Sequence, residues 1–416
     1  MILFLYQFLQ CLLSPFIWFK LIKKSKGQLS FNKQLEYLGL SKKQTIPVVC
    51  FHCVSVGEVL TSIPLIKQYQ QQHPKQKLLI TTTTYTGYQE VKKAFSEDIE
   101  HRFMALDFLF FTKLFFSRNN IQALNIIETE LWPNLLQQAK KNNIPVTLIN
   151  ARLSARSTRG YLRFPRTAHW LVNHIDYLLA QHQDDADRFI ELGVNPQKIT
   201  ITGSIKFDIN IDQQKQEKGQ RLKSKYQHSP VILAASTHKG EDEIILKAFE
   251  ALQQKEKNAL LIIVPRHPER FDSVFQLAKK HAFKTYRKTE YELPPPDSQV
   301  VIGDTMGEMV IYLALADLVI MGGSFVPVGG HNLLEPAALK KAAITGPHTF
   351  NFTDITEQLI EVGHTTKVEN KDQLIQSLFE HCLAFDALSQ KGEQGLQVVT
   401  NNQGALKKTL VALPAL

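Results

Sequence analysis

Cysteine is scarce in this chain: 416 residues hold four, Cys11, Cys50, Cys53 and Cys382. So few thiols leave a reduced, cytoplasmic compartment as the default. Cys50 and Cys53 form a C-x-x-C, but they lie in PVVCFHCVSV, which reads as a buried strand. Side chains three apart on a strand point to opposite faces, so the pair reads as two inert core thiols rather than a redox couple or half a metal site. Other signatures are missing altogether. No G-x-G-x-x-G follows the first strand and no G-x-x-x-x-G-K-[ST] occurs, so dehydrogenase and P-loop readings lack support. Zinc-finger spacing, a basic zipper region and an RNA-binding aromatic signature are also absent, so nucleic acid is not an expected partner. The apolar N-terminus has no positive charge ahead of it and no small-residue cleavage site behind it, so a cleaved signal peptide is not expected.

What is present is globular: 44% hydrophobic and 21% charged residues, in a length that suits two domains of about 200 residues each. The formal charge of +9 favours an anionic partner, either a phosphorylated ligand or an anionic membrane surface. Residues 1–19 are almost all apolar, and Lys20, Lys23, Lys24 and Lys26 follow at once. A stretch of this length just reaches the roughly 20 residues needed to cross a bilayer, and the basic flank would stay in the cytoplasm. Gln7, Gln10 and Pro15 weaken a full span and leave an interfacial helix, or a helix packed on its own domain, open. Residues 1–26 are therefore expected to anchor the protein to the inner (cytoplasmic) membrane, with the remainder on the cytoplasmic side.

From about residue 46, short apolar runs alternate with amphipathic stretches. PVVCFHCVSV, KLLITTT, ALNIIE, PVTLIN, DYLLA and ITITG form one set of strands. PVILAAS, ALLIIVP, QVVIG, DLVIMGG and AAITG form a second. This alternation predicts an α/β protein with two doubly wound Rossmann-like domains, 27–210 and 230–416, and a polar linker, 211–229. The last helix is a candidate to pack back on the first domain. Two such halves create a cleft, and ligands bind beyond the carboxyl ends of parallel strands.

The residues just after those strands are the candidates for chemistry. VSVGEV places Gly57 at the turn and Glu58 at the opening of a helix, as a general base or as a carboxylate that only complements the helix dipole. In GGSFVPVGGHNLLEPA, Gly322, Gly323, Gly329 and Gly330 allow close approach of backbone, and the helix beginning near Asn332 aims N–H groups at a phosphate. Glu335 sits in that helix's first turn, in reach of ribose hydroxyls. PRHPER supplies Arg266 and His267, a phosphate- or carboxylate-binding pair. DTMGEM supplies Gly307, Glu308 and Met309, and ASTHKGE supplies Ser236, Thr237 and His238 as polar donors. Lys206, in GSIKFD, is a further anion ligand. Arg152, Arg156, Arg159, Arg163 and Arg166 are spaced to share one helical face, for a phosphorylated acceptor or the bilayer itself, although Gly160 and Pro165 interrupt the helix. Asp185 and Asp187 mimic a metal-binding D-x-D but read as capping and first-turn residues.

Taken together, VSVGE, ETELWPN, NARLS, GSIKFD, ASTHKGE, PRHPER, DTMGEM and GGSFVPVGGHNLLEPA resemble, in one order and almost end to end, the 3-deoxy-D-manno-octulosonic acid (Kdo) transferases of Gram-negative bacteria. The resemblance implies a GT-B fold with the acceptor on the first domain and the nucleotide on the second. It implies transfer of Kdo, with inversion, from CMP-Kdo to the tetraacyl disaccharide bisphosphate precursor of lipid A. By position, Glu58 matches the family's base, and Arg266, His267, Gly307, Glu308, Met309, Asn332, Leu333, Leu334 and Glu335 match its CMP-binding segments. Ser204 stands where the family more usually has Asn. No metal is expected, because a nucleoside monophosphate leaving group has no diphosphate for a metal to bridge. A UDP-sugar transferase or epimerase, or a phosphorylated-lipid-binding membrane protein without activity, are the competing readings.

Overall fold

The computed structural model describes residues 6–7, 29–95 and 99–414. The expected membrane anchor, 1–26, lies outside them apart from Tyr6 and Gln7; among the described residues no helix is long and apolar enough to cross a membrane. The chain forms two compact units. One runs to Asp208 and resumes at Gln403, and the other is Ile209–Asn402.

The first unit is built on seven parallel strands: β1 (Val48–His52), β2 (Lys77–Thr82), β3 (Glu100–Phe103), β4 (Ile121–Ile127), β5 (Val146–Ala151), β6 (Tyr177–Ala180) and β7 (Ile199–Ile201), in the order β3-β2-β1-β4-β5-β6-β7. The second has β8 (Val231–Thr237), β9 (Leu260–Pro265), β10 (Thr285–Arg287), β11 (Val300–Ile302), β12 (Leu318–Met321), β13 (Ala342–Thr345) and β14 (Thr365–Lys367), also parallel, in the order β10-β11-β9-β8-β12-β13-β14. The strand order therefore reverses between β1 and β4 in one sheet and between β8 and β12 in the other. Those reversals are where doubly wound sheets leave a crevice for ligands.

Helices cover both faces of a parallel sheet, so its central strands are apolar throughout. All five residues of β1 are buried. Cys50 joins the core on one face, with Leu124 and Leu148, while Cys53 joins the core on the other, with Val59 and Leu65. Burial drives the thiol of Cys50 up to about 12 and that of Cys53 further in the same direction, so both are protonated and unreactive.

One feature differs from the sequence reading. The stretch 211–229 is not simply a linker: it contains the helix Gln213–Lys223, which packs on the helix Met309–Leu315 of the second unit. Gly219 permits the contact, since a Cβ there would lie 2.6 Å from Ala314 Cβ and from the Ile311 carbonyl oxygen. The helix Ala405–Ala412, for its part, belongs to the first unit. Its Ala405 and Leu406 enter the core beneath the helix Val56–Gln72, and the Asp208 carboxylate accepts from the Gly404 and Leu406 amides.

Candidate active site

At the first reversal the chain leaves β1 through Cys53 and Val54, and Ser55 caps the helix Val56–Gln72. The helix thus starts ahead of Gly57, which lies inside its first turn rather than making the turn. The Glu58 amide donates to Ser55 Oγ at 3.3 Å, and the Ser55 amide and hydroxyl donate to Glu58 Oε1 at 3.1 and 2.7 Å. The Val54 amide donates to Oε2 at 2.6 Å. This capping box fixes Glu58 in one rotamer and satisfies the helix end. Glu58 is only 7% exposed. Burial raises its pKa to about 7, against those hydrogen bonds, and the nearby Glu130 and Glu128 push in the same direction.

Glu128 and Glu130 follow β4, across the reversal from Glu58. Glu128 adopts φ +60°, a left-handed conformation that costs a non-glycine residue of order 1 kcal/mol and is typical of functional loops. Lys206, expected to hold the donor, sits instead on the one-turn helix Ile205–Phe207 of the first unit, its Nζ 2.7 Å from Glu128 Oε1. Glu130 accepts from Trp132 Nε1 at 2.7 Å, and its pKa is raised by burial and by Glu128. Reading strand ends alone did not single out these two carboxylates. ETELWPN, immediately after a buried strand, was the available signal.

The arginine series does not form one helical face. Arg152 precedes the helix Ala155–Leu162, which carries Arg156 and Arg159, and a second helix, Pro165–Val172, begins after the break at Arg163 and Phe164. Arg156, Arg159, Arg163 and Arg166 are exposed. Asp185 has a structural role: its Oδ1 accepts from the Leu153 amide at 2.8 Å and lies 3.7 Å from Arg188. Among the described residues no group of three His, Cys, Asp or Glu side chains is arranged to hold a metal ion.

At the second reversal, β8 ends at a bulge where Ser236 takes φ +56°. Its carbonyl oxygen lies 2.5 Å from where a Cβ on Gly322 would stand. Gly322 therefore serves the meeting of two protein backbones, not the approach of a ligand. Glu241, fully buried, draws the two loops together. Its carboxylate accepts from the His238 amide at 2.7 Å and from the Gly323, Ser324 and Phe325 amides at 2.7, 2.9 and 2.8 Å.

On this support stand three imidazoles and a guanidinium. His238 Nε2 is 2.9 Å from His331 Nε2, and His267 meets the His238 ring edge-on at 5.4 Å between centroids. Arg266 and His267 are exposed after β9, and Arg266 lies close enough to Glu335 to oppose the upward push of burial on that carboxyl. Leu333 and Leu334 are core residues, 1% and 0% exposed, so any ligand contact from them is through backbone. The helix at Asn332 starts at Leu334 and runs only to Ala338, with Asn332 Oδ1 accepting from the Leu334 amide at 3.0 Å. Gly307 is exposed at φ +78° with open space around it. Its carbonyl accepts from Lys215 Nζ at 2.9 Å, and Glu308 accepts from Thr305 Oγ1 at 2.6 Å. His331 was not singled out in the sequence, because its role depends on a partner 93 residues away.

Residues 29–209 match the model of the family described as 3-deoxy-D-manno-octulosonic-acid transferase (kdotransferase). The 3-deoxy-D-manno-octulosonic acid transferase of Haemophilus influenzae is 40% identical over 364 residues, covering 87% of this chain and 85% of that protein. The transferase of the same name from Bordetella pertussis is 31% identical over 417 residues, 96% of each chain. Among solved structures, UDP-GlcNAc 2-epimerase from Neisseria meningitidis superposes with a TM-score of 0.55 over 88% of this chain and 100% of its own. At 16% identity that likeness is one of fold alone, of the GT-B-like kind. With relatives this similar along most of its length, the chain belongs to the 3-deoxy-D-manno-octulosonic acid transferase family of glycosyltransferases.

Proposed function

We propose that this glycosyltransferase moves Kdo from CMP-Kdo to the tetraacyl disaccharide bisphosphate precursor of lipid A, with inversion at the anomeric carbon. The observation that carries the reading is Glu58, a buried carboxylate held by a capping box at the first reversal with its pKa raised to about 7. A base works best when its pKa lies near the working pH. Oε1 already accepts two donors and Oε2 one, so Oε2 keeps a lone pair for the acceptor hydroxyl. Glu58 takes that hydroxyl's proton as its oxygen attacks the anomeric carbon.

The second unit takes the nucleotide. Arg266, His267 and the loop carrying His331 bind the phosphate, whose charge grows as the bond to the sugar breaks. Gly307, Glu308, Met309, Asn332 and Glu335 complete the CMP site, with Ser236 behind them. Lys206 moderates the carboxylates beside Glu58 through its pairing with Glu128 rather than touching the donor. The exposed Arg156 and Arg159, with Arg152, meet the acceptor's phosphates. The enzyme works at the cytoplasmic face of the inner membrane, and no metal is required, since the leaving group is a monophosphate.

The test is incubation of purified protein with CMP-Kdo and the lipid A precursor, without divalent metal, beside a Glu58→Gln variant, with product mass read directly. A gain of one or more Kdo units in the wild type, reduced about 10²- to 10⁴-fold in the variant, supports both reaction and base. Turnover of a UDP-sugar instead would replace the donor, and bound CMP without product would reduce the protein to a binder.

A further inference from the structure

His238 and His331 come from the loops on either side of the second reversal, and their rings meet edge to edge, nearly parallel at 16°, with centroids 5.1 Å apart. The Nε2-to-Nε2 distance of 2.9 Å fixes the tautomers as a pair: one ring donates Nε2–H and the other accepts through a bare Nε2. The accepting ring carries its proton on Nδ1, and the donating ring has Nδ1 free. One further proton can be taken up at that Nδ1 with the inter-ring hydrogen bond intact, so the pair holds either no charge or one.

The surroundings decide which. His267 and Arg266 face the pair from the β9 loop, and Arg270 from the one-turn helix Pro268–Arg270, where Asp242 engages it. Glu241 is committed to backbone amides, and Glu335 acts on Arg266. The groups bearing electrostatically on the two rings are thus cationic or imidazole. Burial and that positive field hold His331 down near 4 and His238 below its ordinary range, so the pair is neutral at pH 7. An anion set against Arg266 and the rings reverses the field.

We propose that His238 and His331 form a proton-coupled phosphate site: the pair binds the phosphate of a nucleoside monophosphate together with Arg266 and takes up one proton from solvent as it does so. This rests on the reading that the second unit holds the nucleotide. It also gives the pair a preference. A sugar-linked phosphate carries one negative charge, whereas the released monophosphate gains a second with a pKa near 6. A site that becomes cationic on demand favours the charge of the departing group over that of the bound donor.

The experiment is calorimetric titration of the full chain with CMP between pH 6 and 8, in buffers of different ionisation enthalpy, for the wild type, His331→Gln, His238→Gln and Arg266→Ala. CMP's own ionisation is common to all four. The wild type should take up more protons than either histidine variant, by up to about one, and bind CMP about tenfold more tightly at pH 7. Thermal unfolding identifies any variant that fails to fold, and the other histidine variant then gives the answer. Histidine variants that match the wild type in affinity and proton count, while Arg266→Ala loses CMP, would overturn the pair and leave the nucleotide site standing. No binding of CMP by the wild type overturns both.

Discussion

The two sheets of this enzyme share strand number, direction and point of reversal, yet the ends of their strands carry opposite chemistry. In the first unit the loops after β1 and β4 gather Glu58, Glu128 and Glu130, and burial, with repulsion from neighbouring carboxylates, raises the pKa of Glu58 and Glu130. In the second, the loops after β8, β9 and β12 gather His238, His267, His331 and Arg266, and burial, with the neighbouring cationic and imidazole groups, lowers the pKa of His238 and His331. On the proposed function, one end removes a proton and the other receives negative charge. The architecture repeats the same reversal in both sheets, and the loop residues give each its own chemistry.

The comparison breaks most readily at Glu58. Glu58→Gln should lower turnover by about 10²- to 10⁴-fold while leaving CMP affinity unchanged, and a loss of CMP affinity would show that the two ends do not divide the work as described. The same carboxylate has a stability signature. Its folded pKa of about 7 lies above the roughly 4.3 of an unfolded glutamate, so the stability it contributes is present below that unfolded value. This contribution is lost as pH rises through about 7, and Glu58→Gln should flatten that slope in urea titrations. Next in size is Glu241→Ala, which leaves four backbone N–H groups of two loops without their carboxylate. It should cost about 3 kcal/mol in urea denaturation. Arg266→Ala removes an exposed guanidinium, so CMP binding should weaken about tenfold by calorimetry with the thermal midpoint unmoved. Smallest is Lys206→Met. Glu128 then stands unpaired near Glu58, and the acidic limb of the activity profile, set near pH 7, should move up by about half a unit.

The buried strands were legible because a parallel sheet covered on both faces needs unbroken apolar runs, as in the VVCFH of β1 or the LLIIVP of β9. Three strands went unread: β3 (EHRF), β10 (TYR) and β14 (TTK). All three are edges, three or four residues long, paired on one side only and free to carry polar residues, so periodicity has little to grip. Glu58, Arg266 and His267 stand where a rule about strand ends put them, just beyond β1 and β9. The pairing of Lys206 with Glu128 was not legible, because GSIKFD shows only a lysine and folding alone brings Glu128 to it. The arginine spacing was helical, but Pro165 starts a new helix and turns the series out of register. Glu241 was not singled out, because its binding of a loop 82 to 84 residues downstream has no local signature.

The return of the chain to the first unit has a consequence for how the protein is made. Ala405 and Leu406 complete a core that Val59, Leu65 and Ile66 began, and they are separated from it by the whole of the second unit. On the ribosome, which emits the chain from its N-terminus, the helix Val56–Gln72 waits with one face uncovered while the second unit is synthesised and folds. The inserted unit is therefore finished before the one that encloses it in sequence. Until Asp208 receives the amides of Gly404 and Leu406, the nascent first unit presents bare apolar surface to chaperones and to other growing chains.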